Sequence, residues 1–141
     1  MRHLRFALLP LAALVFSVTA QASKTSYLNC KKEFTGNSYQ YYGELMEVTS
    51  THPNGNQFSS FVLNLVGQPF CFVDFDSSLE TQVGVTKSVQ LNTSEMSKEA
   101  LENIQANLGQ TVSVTGDFYI GHTAWHIRSV VVQVQDIVFP E

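Results

Sequence analysis

The fold is decided by the stretch LGQTVSVTGDFYIGHTAWH, residues 108–126, and by the valine-rich run that follows it. Two series of apolar residues alternate there at a period of two: Val112, Val114, Phe118 and Ile120, then Val130, Val132 and Val134. This alternation is typical of strands with one buried face. Residues 121–128 lie between the two series, and we expect them to form a hairpin loop.

Upstream of this pair, the sequence predicts further strands and one helix. The predicted strands cover residues 39–48, 58–66 and 85–91, with a short apolar run at 70–75. Leu101, Ile104 and Leu108 then recur at helical spacing. Ser94 precedes them as the expected N-cap, and Gly109 follows as the expected C-terminal cap.

This element order predicts the fold class. Three strands, a helix and two strands are the order of an OB-fold. We therefore predict a mainly β, OB-fold-like, five-stranded Greek-key barrel with one helix between strands 3 and 4. A β-sandwich suits the pattern less well, because it needs about seven strands and no helix. Gly43, inside the first strand, predicts a bulge or a tight bend.

Residues 1–22 have the pattern of an export signal. Arg2 and Arg5 supply the positive start, an apolar run follows, and Ala20-Gln21-Ala22 fits a small-x-small cleavage site. The apolar run is too short for an uncleaved membrane anchor. We expect a single domain at residues 23–141, with no membrane span after signal cleavage, located in the periplasm or secreted.

The charge of the chain bears on its partners. The sequence has 8 Lys and Arg against 12 Asp and Glu, and two of the arginines lie in the signal, so the exported part carries six basic and twelve acidic residues, a net charge of −6. An acidic domain repels phosphate backbones, so we expect no nucleic-acid partner. A basic protein partner in the cell envelope suits this charge better.

Cys30 and Cys71 are the two cysteines of the sequence. In an oxidising compartment two cysteines usually pair, and we predict a disulfide between them. Two buried free thiols or half of a metal site are the alternatives. Cys30 precedes the first predicted strand and Cys71 follows the second, and in an antiparallel pair those two ends are neighbours.

The chain resembles a family of small exported bacterial proteins, the domain of unknown function family numbered 4431. The resemblance is carried by residues 108–116, by His122-Thr123 and His126, and by Val134-Gln135-Asp136-Ile137. Residues 68–71 and 87–91 are similar to the family as well. Ala124-Trp125 departs from it, since small or polar residues and often a further histidine are expected there. The resemblance implies no established activity.

Three histidines follow the signal and are candidate metal ligands. His52 lies in the predicted loop between strands 1 and 2, and His122 and His126 lie in the loop between strands 4 and 5. These loops flank the usual ligand face of an OB barrel. Three imidazoles hold zinc or copper when water completes the coordination shell. The alternative is that His122 and His126 brace their own loop and that His52 is an exposed turn residue.

Aromatic residues are the candidate ligand platforms, together with His122 and His126. An exposed Trp125 would stack on a sugar ring or anchor a protein partner, whereas a buried Trp125 would cap the barrel mouth, the interpretation we favour. Tyr41 belongs to a tyrosine-rich strand, where aromatic residues serve either as platforms or as ordinary strand residues.

The sequence predicts a binding protein rather than an enzyme. It contains no Gly-x-Ser-x-Gly elbow, phosphate loop or His-Glu-x-x-His motif. We expect an exported, non-enzymatic binding module, in one form an inhibitor or immunity protein for an envelope-acting enzyme. A metal-binding module that uses the loop histidines is the alternative, and an unrecognised hydrolase is the third hypothesis.

Overall fold

The computed structural model describes residues 30–75 and 81–141. Within these ranges the chain forms eight strands and one helix: β1 (Lys31–Lys32), β2 (Tyr39–Thr51), β3 (Gln57–Leu65), β4 (Phe70–Phe75), β5 (Thr81–Thr86), β6 (Ser88–Asn92), α1 (Lys98–Ala106), β7 (Thr111–Ile120) and β8 (Val130–Val138). The export signal expected at residues 1–22 lies outside the described residues. Within the described ranges, α1 falls short of the length and hydropathy needed to cross a membrane.

Five of these strands close into a barrel. Their order around it is β2-β3-β6-β8-β7, and α1 connects β6 to β7. Strands β6 and β8 run parallel, and the other neighbours run antiparallel. The predicted mainly β, OB-like class with one helix is confirmed. The predicted strand count was too low, because three further strands form a separate sheet in the order β1-β4-β5.

The interior of the barrel is filled by the alternating residues that the sequence pattern predicted. Every second side chain of β7 is buried, from Val112 to Ile120. The same core takes in residues of every other barrel strand and of the helix: Leu45, Leu63, Val89, Leu91, Ile104, Val130, Val132 and Val134. Because each strand places alternate residues inside, its remaining side chains point outward, where the candidate site is built.

The strand predicted at residues 85–91 is in fact two strands in two different sheets. β5 pairs with β4, whereas β6 pairs with β3 in the barrel. Thr86 marks the break, because its Oγ1 donates to the carbonyl of Ser88 at 2.7 Å and accepts from the Ser88 N–H at 3.2 Å. A side chain that bonds the local backbone in this way competes with the sheet ladder. Val85, Val89 and Leu91 keep one phase across the break, so periodicity alone did not reveal it.

Two local predictions also need correction. Ser97, not Ser94, caps α1, since its side chain accepts from the N–H of Ala100 at 3.2 Å. Gly43 pairs regularly with strands on both of its sides, and the irregularity lies instead between Thr115 and Gly116, where β7 meets β8. The glycine at position 43 is required because a Cβ there would overlap the backbone of Asn64.

The disulfide between Cys30 and Cys71 is present, with the two Cα atoms 4.7 Å apart. It joins the start of the described chain to β4, and the parallel pairing of β1 with β4 continues directly from it. The bridge therefore fixes the segment that leads to Phe34. With both cysteines paired, neither is free to act as a nucleophile or a metal ligand.

Candidate functional site

One outward-facing row of side chains runs across four strands of the barrel. Val62 pairs with Gln90, which pairs with Val131. Val131 also pairs with Tyr119, so all four side chains point away from the core. Val62 and Val131 are nevertheless only 0% and 1% exposed. The β7–β8 loop, residues 121–129, folds back onto the barrel at Gln90 in this row.

Gln90 holds this loop in place. Its Nε2 donates to the carbonyl of Trp125 at 3.2 Å, and its Oε1 accepts from the N–H of Ile127 at 2.6 Å. Gln90 is 7% exposed, so both ends of a buried amide are satisfied by loop backbone. Arg128 adds a second anchor, because its Nε donates to Oγ of Ser88 at 2.7 Å. The loop is thereby fixed against the barrel.

Gly121 makes the sharp start of this loop possible. Its N–H donates to the carbonyl of Ser129 at 2.9 Å and closes the base of the loop. A Cβ at this position would lie 2.7 Å from Cβ of His126 and 2.8 Å from the carbonyl oxygen of Arg128. Any other residue would force the loop out of this conformation.

Trp125 sits where two loops meet. Its ring stacks on His52 at a centroid distance of 4.0 Å, with the planes 24° apart, and meets the ring of Phe58 edge-on at 4.9 Å. The predicted convergence of the His52 loop with the β7–β8 loop is therefore present in the structure. Trp125 is 47% exposed, so the capping role that we favoured is wrong. The indole lies on the outer surface and presents part of its ring to solvent.

A second aromatic cluster adjoins the first. The rings of Phe34 and Tyr119 stack at 5.8 Å with their planes 7° apart, and Tyr119 meets the ring of His126 edge-on at 5.6 Å. His126 directly follows Trp125 in the chain, and this adjacency joins the two clusters. We call the combined surface the aromatic track: Phe34, Tyr119, His126, Trp125, His52 and Phe58.

Phe34 is the unusual member of the track. It is 73% exposed, and its backbone has a positive φ of 51°, which costs a non-glycine residue about 1 kcal/mol. Neighbouring contacts hold this conformation: the Phe34 N–H donates to the carbonyl of Phe118 at 3.3 Å, and Oε2 of Glu33 accepts from the N–H of Ile120 at 2.7 Å. Burial does not explain an exposed ring on a strained backbone, and such strain is concentrated at functional sites.

A groove of about 350 Å³ lies beside the track. The residues that the structure places around it are polar, aromatic or apolar, and include no Asp, Glu, Lys or Arg: Ser60, Gln90, Leu91, Asn92, Thr93, Ser94, Tyr119, Trp125, His126 and Val131. Asn92 is held in the groove wall, since its Nδ2 donates to the hydroxyl of Tyr119 at 3.1 Å and its Oδ1 accepts from the Ser94 N–H at 3.1 Å. The groove is thus uncharged, with fixed amide and hydroxyl groups.

The structure does not bring His52, His122 and His126 together as a ligand set. Among the described residues, no three His, Cys, Asp or Glu side chains are placed to hold a metal ion. Nδ1 of His52 accepts from the Asn54 N–H at 3.2 Å, and Nδ1 of His126 accepts from the Thr123 N–H at 3.2 Å. Each neutral ring therefore carries its hydrogen on Nε2, which then has no lone pair for a metal.

The protonation of His126 is disfavoured. Burial lowers the pKa of this imidazole, and the nearby His122 lowers it further. The hydrogen bond that Nδ1 accepts from Thr123 also requires a neutral ring. His126 thus braces its own loop, which is the alternative role that the sequence left open for it.

Tyr41 does not share the surface of the track. It is 3% exposed, packs on Phe70 at 5.3 Å, and belongs to the barrel core. Burial raises the pKa of its hydroxyl, and Asp117 and then Tyr39 raise it further. Tyr41 instead borders a separate depression of about 340 Å³ beside Cys71. Its predicted role as a ligand platform is therefore not supported by its position.

A comparison of the sequence with known families bears on this surface. The model of the domain of unknown function numbered 4431 (DUF4431) matches residues 88–138. The predicted resemblance is confirmed for that segment. The match includes Tyr119, Trp125 and His126 of the track, and the predicted similarity around Cys71 lies outside it. No curated protein matches the chain.

Two solved structures are similar to parts of the chain. The single-stranded DNA-binding protein of Plasmodium falciparum in complex with single-stranded DNA is 14% identical, with a TM-score of 0.35, over 74% of this chain and 95% of that one. A deletion mutant of the single-stranded DNA-binding protein from Thermus aquaticus is 21% identical, with a TM-score of 0.32, over 74% of this chain and 50% of that one. This chain therefore matches only half of the Thermus protein.

Sequence reasoning missed three members of the track. Phe58 and Tyr119 fall out of phase with the core residues of their strands, and this phase was the available signal. Phe34 lies before the first predicted strand and close to Gly36, in a segment without periodicity. Its stacking on Tyr119 depends on the tertiary structure, so no local pattern indicated it.

Proposed function

We propose that the chain is an exported, non-enzymatic binding module whose ligand lies across the aromatic track. The observation that carries this proposal is the fixed and partly exposed set of rings around Trp125. Rings that are already held in place lose little freedom when a ligand binds, so little affinity is lost in ordering them. OB barrels bind ligands on the face that the β2–β3 and β7–β8 loops flank here. The proposal includes a five-stranded Greek-key barrel of this kind.

Export to the periplasm or beyond is part of the proposal. The Cys30–Cys71 disulfide supports it, because disulfides persist mainly in oxidising compartments. The small-x-small pattern at residues 20–22 fits cleavage by a signal peptidase. Mass spectrometry of the chain recovered from the periplasm should give a mature start at Ser23.

An NMR titration with three probes of different chemistry tests the binding proposal. The ¹⁵N-labelled mature chain is titrated in separate experiments with a neutral hexasaccharide, with lysozyme as a basic cell-wall hydrolase, and with Zn²⁺. Binding at the proposed site predicts shift changes concentrated at the track in at least one titration. Changes confined to other surfaces, or no changes with any probe, contradict the proposal.

The inhibitor or immunity form has a basic envelope enzyme as its partner. The net charge of −6 on the exported part supports it, since opposite charges speed association and raise affinity. Binding of lysozyme should then weaken as the salt concentration rises. Calorimetry at two salt concentrations measures this, and a salt-independent affinity contradicts the inhibitor form.

The metal-binding alternative has a direct test. Calorimetric titration with zinc and with copper is carried out on the wild type and on His122→Ala. Binding that is lost in the variant supports a metal module, and no binding to the wild type contradicts it. The third hypothesis, a hydrolase, requires turnover that His126→Ala abolishes.

A further inference from the structure

We infer that the ligand of the aromatic track is a neutral oligosaccharide, an inference that rests on the binding function proposed above. The track and the groove beside it offer two kinds of surface side by side. Rings are exposed at Phe34 and Trp125, and fixed amide and hydroxyl groups lie between them at Asn92 and Tyr119. A ligand that fits must present apolar faces and neutral hydrogen-bonding groups side by side.

A sugar chain has this chemistry. Each pyranose ring has a face of C–H groups that packs on an aromatic ring, and hydroxyl groups around its edge that exchange hydrogen bonds with amides. Ser60, Asn92 and Thr93 supply neutral polar groups at the groove. OB barrels as a class take oligosaccharides and oligonucleotides on this face, so the choice between these ligands depends on charge.

The charge of the groove disfavours a nucleic acid. Proteins that bind single strands combine stacking rings with a positively charged channel. Among the described residues, those around the groove include no lysine or arginine. Arg128, two residues beyond His126, has its guanidinium engaged by Ser88 and by the carbonyl of Ile127 at 2.8 Å. Lys31 and Lys32 are exposed shortly before Phe34 and lie outside the groove lining. Stacking rings beside a groove lined without cations fit an uncharged ligand.

The same argument disfavours a basic protein at this site. The groove lining that the structure describes contains no carboxylate. Glu33 lies near the Phe34 end, but one of its oxygens is taken by the Ile120 N–H. The acidic charge of the domain is therefore not concentrated on the track, and a partner recognised by charge would bind elsewhere.

Phe34 supports a ligand that extends along the track. Its ring stands on a strained backbone at the end of the series opposite to Trp125, and one side of it stacks on Tyr119. A second exposed ring contributes to binding only when the ligand is long enough to contact both Phe34 and Trp125. We therefore expect a hexasaccharide to bind more tightly than a disaccharide of the same sugar.

The test uses calorimetry of the mature chain with chitohexaose, cellohexaose and the matching disaccharides. We expect saturable binding of at least one hexasaccharide, at least tenfold weaker in Trp125→Ala and several-fold weaker in Phe34→Asn. Asparagine tolerates the left-handed backbone at position 34, so the second variant removes the ring without adding strain. Tyr42→Ala removes an exposed aromatic ring that lies off the track and should leave the affinity unchanged.

The outcomes separate this inference from the proposed function. The oligosaccharide inference is overturned if neither hexasaccharide binds. It is also overturned if Trp125→Ala and Phe34→Asn both bind as tightly as the wild type. If lysozyme or an oligothymidine then shifts the NMR signals of the track, the binding function stands with a different ligand class. Circular dichroism of each variant checks that a lost affinity reflects a lost ring and not a lost fold.

Discussion

At the scale of single residues, Gln90 decides how the site is presented. It is a buried polar residue between the core residues Val89 and Leu91, and its amide meets two backbone groups of the β7–β8 loop. The sequence showed only an outward-facing position in a strand. Its role depends on the tertiary structure, which brings the loop backbone at Trp125 and Ile127 onto its amide.

We expect Gln90→Leu to destabilise the fold by about 2 kcal/mol. The change leaves the carbonyl of Trp125 and the N–H of Ile127 without their partner, and unpaired sheltered groups cost roughly 1–3 kcal/mol. Urea unfolding measures the loss, and the Trp125 emission should shift to longer wavelength as the loop loosens. Gln40→Leu is the matched control, because exposed Gln40 bonds only Ser113 Oγ among the described residues. Equal effects of the two substitutions would contradict the role of Gln90.

The loop should also respond to acid through His126. Burial and His122 lower the pKa of His126, so the unfolded chain takes up this proton at a higher pH than the folded chain does. The stability contributed by neutral His126 is therefore fully present above the ordinary imidazole range and is lost as the pH falls through the lowered folded value. An NMR titration should place the His126 midpoint below the ordinary value, and His122→Ala should raise it in part. A midpoint at or above the ordinary value would count against this account.

At the scale of elements, the helix shows the limit of local capping signals. Serine is a common N-cap residue, so Ser94 and Ser97 are both possible caps. The sequence favoured Ser94 because the acidic Glu95 follows it. In the structure the backbone N–H of Ser94 bonds to the Asn92 side chain, and Ser97 caps the helix. The helix therefore begins later than predicted, because the chain must first leave β6.

This difference gives a matched pair of substitutions. Ser97→Ala should lower the free energy of unfolding by about 1 kcal/mol, because the Ala100 N–H loses its partner. Ser94→Ala, at an exposed position before the helix, should change it by less than about 0.5 kcal/mol. Thermal and urea unfolding of both variants decide between the two caps, and a larger loss for Ser94→Ala would reverse the assignment.

At the scale of the whole molecule, the disulfide lies within the second sheet, because Cys30 directly precedes β1 and Cys71 belongs to β4. The Cys30–Cys71 bridge and the β1–β4 pairing hold the segment that presents Phe34 to Tyr119. The track is therefore assembled from the described start of the chain, the first barrel hairpin and the last one. Loss of the bridge should affect both the stability and the Phe34 end of the site.

We expect the double variant Cys30→Ser, Cys71→Ser to be less stable by up to about 4 kcal/mol, the chain-entropy value for a loop of this length. Urea unfolding of the variant, and of the wild type with and without a reducing agent, measures the loss. Reduced wild type and the double variant should agree. An unchanged midpoint after reduction would show that the bridge does not constrain the unfolded chain.

The sequence by itself determined the elements whose cause is local or periodic. Alternation at period two determined β7 and β8, since the residues that each strand contributes to the core fall on alternate positions. Cysteine count and predicted export led to the Cys30–Cys71 pairing, and the element order led to the OB-like class. The tertiary structure alone decided the break at Thr86, the closure of the loop by Gln90 and the meeting of Phe34 with Tyr119. These features join residues that are distant in the chain, or break a strand whose apolar residues keep one phase on both sides, so no local rule predicts them.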